Sequence, residues 1–189
     1  MGRLSADEEF ANDVAYGKES EIVIANYFLN KGYKIELAED YGIFPYEDEN
    51  DDETKYRGPR ILVYYDYNYK TMEEIEVSGE YLIAPDLRIS KEKIRGFIEI
   101  KRRGTLNKFN GDEILYLNEK YWNDYVKLEH LCRYSDYGDG LVLYVCVDNF
   151  KKEKNAIFYA SISHLEENIQ YRVKHCVAFN LKVFKRMSV

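Results

Sequence analysis

The feature that most constrains the fold is a run of seven consecutive apolar residues at 141–147, with the sequence LVLYVCV. A strand without a polar side chain on either face is buried on both faces, as in a central sheet covered by a layer on each side. Shorter segments rich in β-formers lie on both sides of it in the sequence, at 33–37, 61–69, 74–77, 81–84, 87–90, 95–101, 156–162 and 176–184. Helical signals precede, separate and follow these segments. The pattern predicts an α/β fold with a central mixed sheet.

Three segments are predicted to be helical. The first spans about 6–31, with a capping-box pattern of Ser5 and Glu8 before it and Gly32 as its stop. The second spans about 119–134 after Asn118, and its apolar members recur at helical spacing. The third is short and begins after Ser163.

The length of 189 residues predicts a single domain, 1–189, with an acidic loop insertion at 38–59 and a C-terminal extension of the same domain at 149–189. The formal net charge is −7, but residues 36–53 hold nine acids and no Lys or Arg. Outside that block the chain has 27 basic and 25 acidic residues, and residues 85–108 hold eight basic and three acidic ones. The net charge therefore does not exclude a nucleic-acid partner.

Several classes are disfavoured. The sequence contains no run of 18 apolar residues, which a transmembrane helix would need, and the first residues lack a signal-peptide pattern. No membrane partner is therefore expected. Three scattered cysteines outside any CxxC motif fit a reducing, cytoplasmic compartment. The acidic block is interpreted as a flexible insertion, with a DNA mimic or a docking segment as the alternative.

The segments at 87–90 and 95–101 read as a hairpin whose two faces differ. Alternation places Phe97, Glu99 and Lys101 on one face. A four-residue loop at 91–94 would pair Ser90 with Arg95, Arg88 with Phe97 and Asp86 with Glu99. Two adjacent carboxylates repel each other unless a cation lies between them. Their hard oxygen atoms suit Mg²⁺ or Mn²⁺. The alternative is a salt-bridge cluster of these residues at a sheet edge.

The first helix contains a misplaced charge. Its predicted apolar stripe comprises Phe10, Ala11, Val14, Gly17, Ile22, Ala25, Phe28 and Leu29. Glu21 falls in the middle of that stripe, where an uncompensated carboxylate is costly. Either an ion pair with an arginine or association with a metal explains it.

These residues resemble the PD-(D/E)XK nuclease superfamily. Pro85-Asp86, twelve intervening residues and Glu99-Ile100-Lys101 match its signature. The spacing of Gly17, Glu21 and Gly32 is similar to that of archaeal Holliday-junction resolvases and phage-type endonucleases. The resemblance covers about residues 15–37 and 84–148, and implies a restriction-endonuclease-like α-β-β-β-α-β core. The insertion at 38–80 and the tail after Asp148 depart from the resolvase pattern and leave junction specificity open.

The resemblance implies a metal-dependent endodeoxyribonuclease in repair, recombination or phage and mobile-element DNA processing. Glu21, Asp86, Glu99 and Lys101 would be catalytic, with Mg²⁺ or Mn²⁺ held by Asp86, Glu99, Glu21 and the backbone carbonyl of Ile100. DNA would be the partner, no small-molecule cofactor is needed, and a homodimer is a further implication. Basic residues near the motif would contact phosphates: Arg88, Lys91, Lys93, Arg95, Arg102, Arg103, Lys108, Lys120 and Lys127. The alternatives are a catalytically silent nucleic-acid- or protein-binding module on the same fold and a nuclease for structured RNA.

Overall fold

The computed structural model describes residues 6–37, 60–68, 73–133 and 140–187, with side-chain surroundings at 17–37, 82–132 and 140–187. The predicted acidic insertion at 38–59 and Ser5 of the predicted capping box lie outside the described residues.

Helices and strands alternate as an α/β fold requires. The described helices are α1 (Ala6–Asn30), α2 (Glu119–Arg133) and α3 (Ile162–Glu167). The described strands are β1 (Lys34–Leu37), β2 (Arg60–Asn68), β3 (Glu73–Ile83), β4 (Leu87–Lys91), β5 (Ile94–Arg103), β6 (Asn107–Phe109), β7 (Asp112–Asn118), β8 (Leu141–Phe150), β9 (Glu153–Ser161), β10 (Tyr171–Val173), β11 (Cys176–Asn180) and β12 (Lys185–Arg186). No described helix is both long enough and apolar enough to cross a membrane.

The main sheet has six strands in the order β1-β4-β5-β8-β9-β12. Strands β5 and β8 run parallel, and the other neighbours are antiparallel, so the sheet is mixed. The parallel pair is joined by a crossover through α2, as parallel neighbours require. This confirms the predicted α/β class, its central mixed sheet and the α-β-β-β-α-β order of its core.

Both faces of the central sheet are covered, as the 141–147 run predicts. On one face, α1 contributes Ile24 and Phe28 to a cluster with Ile98, Ile100 and Tyr144. On the other, α2, α3 and a second sheet of order β10-β11-β7-β6 form the larger cluster. Alternate residues of β8 belong to opposite clusters, so this strand has no polar face.

The face assignment of α1 corrects the predicted stripe. Ile22 and Leu29 are 60% and 51% exposed, whereas Ser20, Ile24 and Phe28 are buried. The buried face of α1 therefore contains residues 20, 24 and 28, which are spaced four apart. Phe28 belongs to both faces, so the predicted stripe is rotated by about one residue, roughly 100° around the helix. The cause is that α1 also contains apolar residues on its solvent side, and the pattern alone does not say which set faces the sheet.

Other boundaries also differ. The two short strands at 74–77 and 81–84 are one strand, β3, while β6, β7 and β10 were not predicted. The N-cap of α3 is Ser161, whose hydroxyl accepts from the His164 N–H, and not Ser163. The predicted strand at 176–184 ends at Asn180 and continues as a 3₁₀ turn.

Candidate active site

The register of the β4–β5 hairpin determines where the residues of the site lie. Ser90 pairs with Arg95, and Arg88 with Phe97, as predicted. Pairing continues to Lys91 and Ile94, so the turn has two residues rather than the predicted four-residue loop. The ladder ends at Leu87 opposite Ile98, so the predicted pairing of Asp86 with Glu99 is not part of it, and Asp86 lies at the bend immediately before β4. This placement brings Asp86 to the polar end of β5.

Asp86 is held by the backbone of β5. Its Oδ2 accepts a hydrogen bond from the Ile100 N–H at 2.6 Å. No described residue donates to its Oδ1. In an extended strand the N–H and C=O of one residue point toward the same side. The Ile100 carbonyl therefore faces the side on which Asp86 lies, beyond the end of β4.

Glu99 is buried at 2% exposure, one residue from that contact along β5. Its Oε1 accepts two hydrogen bonds, from the Lys101 ammonium and, at 2.6 Å, from the phenol of Tyr125 on α2. Among the described residues none donates to its Oε2. Lys101 remains 25% exposed, so the group opens toward solvent at the lysine.

Asp86 and Glu99 together carry more negative charge than the neighbouring Lys101 offsets. Burial, followed by the negative charge of Glu99, raises the pKa of Asp86 from 3.8 to about 8, against the opposing effects of Lys101 and the Ile100 N–H. Burial alone lowers the pKa of Lys101, but Glu99 and Asp86 outweigh it and the pKa is raised. Without an added cation, Asp86 is therefore mostly protonated at neutral pH, and Lys101 is an ammonium ion.

The donor set suits a hard divalent cation. Asp86 Oδ1, Glu99 Oε2 and the Ile100 carbonyl are oxygen donors on the same part of the fold, and Mg²⁺ and Mn²⁺ prefer oxygen ligands. A cation would also offset the repulsion that raises the pKa of Asp86. In the described part of the chain, however, no three His, Cys, Asp or Glu side chains group closely enough to form a ready ion cage.

Glu21 reaches this region from the opposite layer. It is half-buried on α1, and its charge contributes to the raised pKa of Asp86. Its side chain is thus electrostatically connected to the pair, but it does not complete a group of three carboxylates. The structure supports proximity, and the direct coordination predicted for Glu21 stays a prediction.

The predicted phosphate-binding residues divide into groups. Lys91, Lys93 and Arg95 lie at the hairpin turn, and Lys91 donates to the Lys31 carbonyl at 2.7 Å. Glu99 lies five positions along β5 from Ile94, about 17 Å at the usual strand rise. The structure therefore does not bring the turn cations together with the carboxylates.

Three of the predicted cations lie near the carboxylate pair or on the strands beside it. Arg102 is held between Glu19 and Asp148, with its Nε 2.9 Å from Asp148. Arg103 donates to the Arg102 carbonyl at 2.8 Å. Arg88 is 3.9 Å from Glu36 across the β1–β4 pair. The Arg102 guanidinium is therefore already engaged by two carboxylates.

The remaining predicted cations are lysines. Lys108 is exposed on β6, away from β5, while Lys120 and Lys127 are half-buried on α2.

Two contacts were missed at the sequence level. Helical spacing marks Tyr125 only as an apolar member of α2, although a tyrosine in the middle of a buried stripe usually needs a partner for its hydroxyl. Glu19 lies on the exposed side of α1, yet it pairs with Arg102. No spacing rule indicates that pair, since its partners are 83 residues apart.

Comparisons with known proteins add little to this geometry. No family model matches the chain, and no curated protein matches it. Among solved structures, the chain is similar to that of Archaeoglobus fulgidus Hjc, a Holliday junction resolvase from an archaeal hyperthermophile. The match covers 89% of this chain and 91% of that chain, with 12% identity and a TM-score of 0.47. Similarity at this level does not establish family or function, and both must be argued from the site.

Proposed function

We propose that the chain is a metal-dependent endonuclease of the PD-(D/E)XK type that hydrolyses phosphodiester bonds in DNA. One observation carries the proposal. The half-buried carboxylate of Asp86 and the buried carboxylate of Glu99 each have one oxygen fixed by hydrogen bonds and one that no described residue donates to. They lie beside the Ile100 carbonyl and the Lys101 ammonium, which together are the groups that such hydrolysis requires.

Asp86, Glu99 and the Ile100 carbonyl would hold Mg²⁺ or Mn²⁺. When bound, the ion would supply Lewis-acid polarisation of a phosphate and a lowered pKa of its bound water. The fixed oxygens matter equally, because the Ile100 N–H and the Glu99 donors orient the two carboxylates before any ligand arrives. Glu21 is proposed as an accessory acidic group acting from α1.

Lys101 is best suited to stabilising negative charge. Its raised pKa keeps it protonated at neutral pH, so in the metal-free protein it is a cation and not a free base. An ammonium aimed at the place where charge develops lowers the barrier to phosphoryl transfer. Its partial exposure gives it access to a phosphate of the substrate.

DNA would approach along the polar end of β5. Arg103 lies two residues beyond Lys101, and contacts there would position the backbone without reading sequence. Repair, recombination or mobile-element DNA processing in the cytoplasm is the proposed setting. Homodimer formation is a further proposal, which sedimentation of the purified protein would test.

The test is a cleavage panel with Mg²⁺ or Mn²⁺ on duplex, nicked, single-stranded and branched DNA, and on structured RNA. We expect cleavage of DNA by the wild type and a loss of about 100-fold or more in Asp86→Ala and in Lys101→Ala, comparable to removal of a main charge-stabilising group. Lys93→Ala is the matched control, since this lysine lies at the hairpin turn and should leave the rate unchanged.

Three results would contradict the proposal. Wild-type protein that cuts none of the substrates with either metal would exclude nuclease activity. DNA binding that is unchanged in Asp86→Ala, again without cleavage, would favour a silent binding module on this fold. Cleavage of structured RNA without cleavage of any DNA substrate would identify structured RNA as the substrate class.

A further inference from the structure

The hydroxyl of Tyr125 has an unusual position for a core side chain. The residue is 1% exposed and belongs to the larger core cluster, with Trp122 and Leu128 on the same helix. Its phenol nevertheless donates to Glu99 Oε1 at 2.6 Å. The packing of α2 against the sheet therefore fixes a donor on a carboxylate of the proposed site.

The two donors on Glu99 use the same oxygen. Lys101 and Tyr125 both contact Oε1, and no described residue donates to Oε2. The terminal torsion of a glutamate is broad, so a carboxylate bound by one flexible lysine can rotate. A second donor on a rigid, packed ring restricts that rotation and keeps Oε2 as the oxygen that faces a ligand.

We propose that Tyr125 is a positioning residue that fixes the Glu99 carboxylate so that its Oε2 is presented to the divalent cation shared with Asp86. The inference rests on the proposed function, because it concerns the cation of that site. It adds a residue outside the sequence motif, and it makes the docking of α2 a determinant of metal affinity.

Tyr125→Phe isolates this role because it removes one oxygen and retains the packed ring. Groups that hydrogen-bond a metal ligand typically contribute 10- to 100-fold to metal affinity or activity. We expect the Kd for Mn²⁺ to rise at least 10-fold in Tyr125→Phe. The Mg²⁺ concentration that gives half-maximal cleavage should rise similarly, while the rate at saturating Mg²⁺ changes much less.

Tyr144→Phe is the matched control. Tyr144 is 7% exposed, lies in the other core cluster and stacks on Tyr159. Both variants are measured for Mn²⁺ binding by electron paramagnetic resonance, and for thermal unfolding in EDTA. We expect similar melting temperatures for the two variants and weakened Mn²⁺ binding only in Tyr125→Phe.

A double-mutant cycle distinguishes a role of Tyr125 through Glu99 from a general effect of the substitution on packing. If Tyr125 acts through Glu99, Tyr125→Phe should change Mn²⁺ affinity very little in a Glu99→Gln background. An equal loss of affinity in both backgrounds would overturn the proposal, as would unchanged Mn²⁺ affinity in the single variant.

Mn²⁺ binding also separates this inference from the proposed function. A wild type that binds Mn²⁺ without cutting DNA would refute nuclease activity and leave the positioning role to be judged by the affinities. A wild type that binds no Mn²⁺ at pH 7–8 would refute the positioning role itself.

Discussion

The half-buried carboxyl of Asp86 gives the metal-free protein an unusual dependence of stability on pH. Its pKa is raised to about 8 in the folded chain, mainly by burial and then by Glu99, against an ordinary value of 3.8. Between these two values the folded state retains a proton that the unfolded state has lost. The contribution of Asp86 to stability is therefore greatest at low pH and is lost as the pH rises toward 8.

The structure also sets the size of the effect. A single retained proton changes the free energy of unfolding by about 1.4 kcal/mol per pH unit. From pH 5 to pH 7 the ceiling is thus about 3 kcal/mol, and relaxation and water penetration around the carboxyl reduce it. We expect at least about 1 kcal/mol, or 2–4 °C in Tm for a chain of this size.

The assay compares wild type with Asp86→Asn by urea unfolding in EDTA at pH 5, 6, 7 and 8. Asn resembles the neutral carboxyl, so the variant should lose the downward slope and become the more stable protein at pH 8. Asp112→Asn is the control. Lys182 and Asn180 hold the pKa of Asp112 below its usual value of 3.8, so the stability that its charge contributes is lost only as the pH falls below about 4, and the profile of this variant should run parallel to that of the wild type from pH 5 to pH 8.

Parallel pH profiles for wild type and Asp86→Asn would refute the reasoning, as would a variant that is less stable than wild type at pH 8. Repeating the unfolding assay with Mg²⁺ in place of EDTA gives a second test. A ligand that binds only the folded state stabilises it by mass action, so Mg²⁺ should stabilise the wild type at pH 8 and Asp86→Asn much less.

Two further predictions concern the junction of α2 with β8. Gly140→Ala should destabilise the fold by about 3 kcal/mol in urea unfolding, because Gly140 has a φ of +115° and an added Cβ would lie 2.5 Å from the buried Glu129 carboxylate. The control is Gly17→Ala on α1, where an added Cβ meets nothing within 4 Å. This variant should instead be more stable than the wild type by up to about 1 kcal/mol. Glu129→Gln should cost about 1 kcal/mol in the same assay, because Glu129 accepts from the Leu141 N–H and the Ser163 hydroxyl and a neutral amide replaces hydrogen bonds to a charged acceptor with weaker neutral ones. Equal stabilities of Glu129→Gln and wild type would contradict this.

Much of the candidate site was accessible from sequence because it lies on a local hairpin. Strand alternation and a short turn determine which side chains of β4 and β5 share a face, and the predicted pairing of Arg88 with Phe97 is confirmed. The apolar run of β8 likewise predicted a sheet covered on both faces. These features depend on residues close in sequence, where periodicity is informative.

Other parts depended on contacts between distant segments. The buried face of α1 was misassigned because the helix has apolar residues on both sides, and only docking on β5 and β8 decides between them. The partners of Glu19 and Arg102 are 83 residues apart, and no spacing within either element indicates the pair.

The sequence by itself determined the α/β class, the doubly covered central strand and the placement of Glu99 and Lys101 on one face of β5. These follow from side-chain alternation, a property of each strand. The tertiary structure alone decided which carboxylate oxygens are fixed, that Tyr125 supplies a donor to Glu99, and that burial raises the pKa of Asp86. Hydrogen-bond partners and desolvation depend on what packs above the sheet, and that packing is set by α2 and α1 and by no pattern within β4 or β5.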